Sequence, residues 1–324
     1  SDLANVTVCE GSAYAISQAT FPTYFLKQLD KASENQIELD LQIFARYLAP
    51  ALGATVRFVG TEPFDPLTRR YNEMMTELLP KSGIEVVQIE RKELEEKPIS
   101  ASRTRAFIEN NKLHAAMQLV PPTTQPYIMA KFAVDALQQE LDTTPKPGLV
   151  DKDNSGAHTD MDYILMERSI KSLRPYFVRL AQLGLSADKL TTADVQRIGI
   201  EAEAAMLRTT HGVNTHRGAL FALGITVAAA MWLYAHEGQE VRKERLQQMI
   251  QEIAAGFPPS ADTHGAEVVA KARVKGAREN AVEGYPDLFE TWGPYYRKLR
   301  EDPHRAHRTL LKIMSMLQDT NIYY

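Results

Sequence analysis

The chain has 324 residues, 44% hydrophobic and 24% charged, with a formal net charge of −4. That balance excludes a disordered chain and supplies more than one core, while offering no basic footprint for nucleic acid and no polybasic membrane signal. The single cysteine, Cys9, excludes a disulfide framework or a cysteine zinc site within one chain and fits a reducing, cytoplasmic compartment.

Residues 1–11 show no basic stretch followed by an apolar one, so no secretory leader is expected there. Val6 to Cys9 is a short β-rich run, and Val56 to Gly60 and Ile84 to Ile89 are two more. Between the first and second, Leu39, Phe44, Leu48 and Leu52 recur at helical spacing. Between the second and third, Pro66 to Leu79 opens on proline and also repeats as a helix. Strands alternating with helices predict an α/β portion with a parallel sheet. Pro98 to Arg105 then opens a helix on Ser100 and Ser102, with Arg103 and Arg105 following. A helix N-terminus favours anions, and arginines suit phosphate; an ordinary N-cap with solvated arginines is the plainer reading.

Val120 to Tyr127 holds three prolines and marks the expected domain boundary. Beyond it the chain reads as all-α: Met129 to Leu141, Met161 to Leu183, Asp194 to Thr209 with Asp194 as its cap, and Val241 to Ala255. Gly218 to Ala235 carries no charge over 18 residues, near the lower limit for a membrane span. Its many Ala and Gly residues favour the buried central helix of a bundle, and no membrane partner is expected. The tail from Tyr295 to Leu317 is amphipathic and basic, and His304 to His307 reads as a solvated face.

Polar clusters interrupt these helices. Thr144 to Asp162 combines Lys146, Asp151, His158, Asp160 and Asp162 with two glycines and two prolines. His211 to Gly218 contributes Asn214, His216 and Arg217; Thr263 to Gly265, Gly276 to Pro286 and Asp319 to Asn321 complete the set. Any one of these is an ordinary polar loop. Together they supply carboxylates for Mg²⁺, cations for phosphate and groups for proton transfer, an inventory suited to a nucleoside triphosphate.

Two resemblances sharpen this. VRFVGTEPFDPLTRRYN, ISASRTR and LVPPTT make residues 1–124 resemble the C-terminal part of citrate lyase ligase, a family that uses ATP to acetylate the lyase carrier's thiol. The resemblance implies part of a Rossmann-like nucleotidyltransferase sheet, with Ser100, Ser102 and Arg105 on ATP phosphates and Glu62 and Asp65 near the nucleotide. The family's His-x-Gly-His loop does not occur here, the first histidine being His114, so ligase activity is not expected. A sheet lacking its first strands would also expose an edge, to be covered by upstream residues or a partner.

TPKPGLVDKDNSGAHTDMD, GVNTHRGALFALG and DTN make residues 127–324 resemble triphosphoribosyl-dephospho-coenzyme A synthase, shortened at its C-terminus. A malonate decarboxylase counterpart shares these motifs, and the ligase-like front favours the citrate lyase version. The resemblance implies attack by the 2′-hydroxyl of 3′-dephospho-CoA on the ATP ribose with release of adenine, through an oxocarbenium-like transition state. It implies Mg²⁺ held by Asp160 and Asp162, phosphates clamped by Lys146 and Arg217, and ribose bound by Asn214. Asp151 would be the base or the stabiliser of the cation, and His158 and His216 would protonate or orient the adenine. The citrate lyase acyl carrier protein would be an indirect partner. The alternatives are acetate ligation and a non-catalytic fragment docking on citrate lyase.

Overall fold

A computed structural model describes residues 5–7, 31–238, 240–258 and 276–316. Most of the first expected strand, Cys9 included, and the Thr263 to Gly265 and Asp319 to Asn321 clusters lie outside the described residues. The chain divides into two compact units, Ser1–Ala101 and Ser102–Tyr324.

The front unit is α/β. Helix α1 (Lys31–Ile43) runs through a π-helical turn at Phe44–Leu48 to Leu52, where Gly53 turns left-handed with φ +61° and closes it. The helix is where its spacing predicts, but the dehydrated face is different. Ile37 and Leu41 are buried, whereas Leu39 and Leu52 stand 51% and 61% exposed. The π turn adds a residue to the repeat and shifts the phase of the stripe beyond it.

Strand β1 (Val56–Gly60) pairs in parallel with β2 (Glu85–Ile89), connected by α2 (Pro66–Leu78). Leu67, Tyr71 and Met75 of α2 meet Ile37 and Leu41 in the front core. Asp65 caps α2 by accepting from the N–H groups of Leu67 and Thr68 at 3.0 and 3.2 Å. Glu62 accepts from the N–H groups of Phe64 and Asp65 and pairs with Arg91, so both acidic residues hold this loop. Two-residue strands β3 (Glu93–Leu94) and β4 (Lys97–Pro98) form a hairpin through Glu95 and Glu96, both at positive φ.

The back unit is all-α among the described residues. Helix α3 (Ala101–Glu109) starts at the division, and α4 (Leu113–Gln118) contributes Ala116 and Met117 to the back core. The two compact units divide before the proline run, within which Pro126 opens α5 (Gln125–Asp142). Helix α6 (Tyr163–Ser186) packs against α5, α7 (Thr192–Thr209) and α8 (Arg217–His236), and α9 (Lys243–Ala255) packs on α8. Short helices α10 (Ala277–Val282), α11 (Gly293–Lys298) and α12 (Arg305–Met314) follow.

Helix α6 buries Ile170, Leu173, Phe177 and Leu180 at helical spacing, as its sequence requires. The cap of α7 is Thr191 rather than Asp194. Thr191 Oγ1 accepts from Asp194 N–H and donates to its carboxylate, placing the acid inside the first turn. Helix α8 alone among the described helices is long and apolar enough to cross a membrane. Its Ile225, Ala228, Ala229 and Met231 are at most 1% exposed within the bundle.

Candidate active site

The Thr144 to Asp162 segment joins α5 to α6 as a tight loop rather than a spacer. Gly148 and Gly156 both take positive φ, and a Cβ on Gly156 would lie 2.5 Å from the Gly148 carbonyl carbon. Only glycine allows this crossing, which the 3.1 Å bond from Ala157 N–H to the Gly148 carbonyl secures.

Asp151 is 1% exposed at the centre of the loop. Its carboxylate accepts from Lys146 N–H at 2.7 Å, Asp153 N–H at 2.9 Å and Asn154 N–H at 3.0 Å. The Lys146 N–H above all, with the other two, holds its pKa below the ordinary carboxylate value. These bonds close the loop around the carboxylate.

Lys146 is 3% exposed, and its ammonium donates to Glu140 of α5 at 2.6 Å. Burial first, then the Lys146 charge, push His216 from 6.5 down to about 4, so its imidazole is neutral at pH 7. His216 Nδ1 lies 2.8 Å from Ser169 Oγ of α6, which lies 2.6 Å from Thr215 Oγ1. The two long motifs are thus coupled through the charge of the buried Lys146, which acts on the buried His216. Asn214 accepts from Arg217 N–H at 3.2 Å just ahead of α8, while the Arg217 guanidinium pairs with Glu203 of α7.

Asp160 and Asp162 are exposed. They line an open cleft of about 560 Å³ together with Ser155, Thr159 and Arg168. Asp162 Oδ1 accepts from Leu165 N–H at 2.8 Å and caps α6, and His158 Nδ1 is 3.7 Å from Asp160 Oδ1. Lys146, Asp151 and His216 are buried, whereas Asp160 and Asp162 line the open cleft. Ser102 and Arg105 sit on the exposed side of α3 with their side chains 3.5 Å apart, and Ser100 directly precedes that helix.

Sequence reading missed Ser169, Thr215, Glu140 and Arg168. Ser169 had a legible signal, a serine inside the apolar stripe of α6 beside Ile170 and Leu173. His307, read as part of a solvated face, is half-buried and its Nε2 lies 2.9 Å from the Thr144 carbonyl. Helix α12 thus holds the start of the motif loop.

Residues 127–324 match the family described as ATP:dephospho-CoA triphosphoribosyl transferase. The chain belongs to that family. Residues 1–128 match the citrate lyase ligase C-terminal domain. A probable 2-(5''-triphosphoribosyl)-3'-dephosphocoenzyme-A synthase of Pseudomonas fluorescens is 38% identical over 222 residues, covering 65% of this chain and 75% of that protein. A probable synthase of the same name from Azotobacter vinelandii is 36% identical over the same length, with the same coverage. The citrate pro-3S-lyase ligase of Escherichia coli is 48% identical over 132 residues, 39% of this chain and 38% of that ligase. No solved structure matches the chain.

Proposed function

We propose that the back unit of this transferase moves the triphosphoribosyl group of ATP to the 2′-hydroxyl of 3′-dephospho-CoA, with loss of adenine. Family membership over residues 127–324 carries this reading. The folded motif loop supports it by supplying an acidic mouth beside a cation, as a Mg²⁺ triphosphate needs.

The described residues contain no group of three or more His, Cys, Asp or Glu that could hold a metal. Two carboxylates at a cleft still fit Mg²⁺, which keeps few protein ligands when phosphate oxygens complete its shell. Asp160 and Asp162 would hold the ion, and it would neutralise phosphate charge. Arg168 lines the same cleft and has no hydrogen-bond or ion-pair partner among the described residues, which suits it to the triphosphate better than Lys146 or Arg217, both already paired. His216, neutral, orients the adenine rather than donating a full proton. His158, beside Asp160, takes the role of acid.

The product serves the acyl carrier protein of citrate lyase, and the reaction belongs in the cytoplasm, where its substrates are made. The front unit carries part of a Rossmann-like nucleotidyltransferase sheet, a reading supported by the parallel β1–β2 pair and the ligase-like match. Acetate-dependent conversion of ATP to AMP would favour ligase activity instead.

Chromatography of ATP, Mg²⁺ and dephospho-CoA incubated with the full chain tests the main reading. Adenine forming only with both substrates is the expected result. A folded chain that binds ATP yet releases no adenine would remove the transferase reading, and one that binds no ATP would favour docking on citrate lyase.

A further inference from the structure

Ser169 has a position that the reaction alone does not explain. It is fully buried on α6, yet its hydroxyl makes two side-chain contacts, to Thr215 and to His216. Burying a hydroxyl costs free energy unless it is hydrogen-bonded, so the contacts are part of what the site is built to keep. Ser169 is 47 residues from His216 in sequence, and only the α6–α8 packing brings them together.

Two directions of donation are open to this chain, and they place the imidazole proton on different nitrogens. Thr215 and Ser169 each have one hydroxyl proton, and a neutral imidazole has one N–H and one bare nitrogen. If Thr215 donates to Ser169 and Ser169 donates to Nδ1, both hydroxyl protons are used. If Nδ1–H donated to Ser169 and Ser169 to Thr215, the proton of the half-buried Thr215 would have to go to solvent, since it has no acceptor among the described residues. The first arrangement leaves the imidazole proton on Nε2, which has no hydrogen-bond partner among the described residues. Lys146 is the charged group whose field reaches this ring. An ammonium beside an imidazole opposes a second proton, which keeps the ring neutral and its tautomer meaningful.

We propose that Ser169, backed by Thr215, is a positioning residue that fixes His216 in its Nε2–H tautomer, so that His216 presents a hydrogen-bond donor to a ring nitrogen of the departing adenine. This deepens the transferase reading and rests on it for the identity of the acceptor. The tautomer itself does not depend on that reading. In the scheme His216 keeps its proton, and the leaving base receives a hydrogen bond that strengthens as negative charge builds on it.

The test uses the full chain with nitrogen-15 histidine. The His216 resonances are assigned by their loss in His216→Gln among the 8 histidines. Long-range nitrogen–proton spectra at neutral pH should show a bare Nδ1 and a protonated Nε2. Ser169→Ala should mix the two tautomers and lower kcat about tenfold to a hundredfold, with KM for ATP little changed. Ser169→Thr, which restores the hydroxyl, should recover both. A wild-type His216 protonated at Nδ1 overturns the proposal. So does a Ser169→Ala protein whose tautomer and kcat are unchanged. Should Ser169→Ala not fold, the wild-type spectrum and Thr215→Val, removing the outer donor, decide in its place. A wild-type chain with the stated tautomer but no adenine release would defeat the transferase reading and leave the tautomer assignment standing.

Discussion

At His216, burial and chemistry pull in opposite directions. Its 6% exposure and the nearby Lys146 charge disfavour the imidazolium, giving a value of about 4 against an ordinary 6.5. Between those two values the unfolded chain binds a proton that the folded chain does not. Stability is therefore complete above pH 6.5, falls as pH is lowered towards about 4, and then levels off. The loss is about 3 kcal/mol. Urea titrations of wild type and His216→Gln should show the variant lacking this slope. At Asp162, capping and proposed metal binding can be separated. Asp162→Ser keeps an N-cap oxygen for Leu165 N–H while removing the charge, so turnover should collapse with stability preserved. Asp162→Ala should lose turnover and about 1 kcal/mol more of stability. Wild-type turnover at saturating Mg²⁺ in Asp162→Ser would defeat the metal assignment.

Among the elements, the close approach of α6 and α8 sets the site. A Cβ on Gly184 would fall 2.3 Å from the Ala228 carbonyl oxygen and 2.9 Å from Met231 Cβ. Gly184→Ala gains about 1 kcal/mol of helix propensity. It should still lose about 1–3 kcal/mol net, because the two backbones must part. The urea midpoint followed by tryptophan fluorescence, which reports Trp232 beside this contact, measures the balance. Because α6 carries Ser169 and α8 begins beside His216, the same substitution should lower turnover below what the unfolded fraction explains. The loop between α5 and α6 depends on a different device, the glycine crossing of Gly148 and Gly156 around Asp151.

Across the whole molecule, the two units keep separate cores, one built on Ile37, Leu67 and Met75 and the other on Leu173, Phe177 and Ala228. Met75 is 1% exposed, and truncating it to alanine should cost the front unit about 2–5 kcal/mol. Both tryptophans, Trp232 and Trp292, belong to the back unit. Met75→Ala should move the first part of a far-ultraviolet unfolding curve while leaving the tryptophan transition and adenine release unchanged. A matching fall in all three would mean that the units do not act independently.

Much of the architecture was legible along the chain. The runs at Val56 and Ile84, the helix between them, the uncharged central helix and the motif loop with its carboxylates all announce themselves through local periodicity and turn chemistry. The tertiary structure decided which of those polar residues share an environment. Asp151 and His216 are each buried, while Asp160 and Asp162 remain at an open mouth with Arg168. It also recruited Ser169 to His216 and His307 to Thr144, partners 47 and 163 residues apart. The reason is physical. Periodicity is a property of neighbours along the chain, whereas dehydration, and with it hydrogen-bond demand and proton affinity, depends on what a distant helix brings against the side chain.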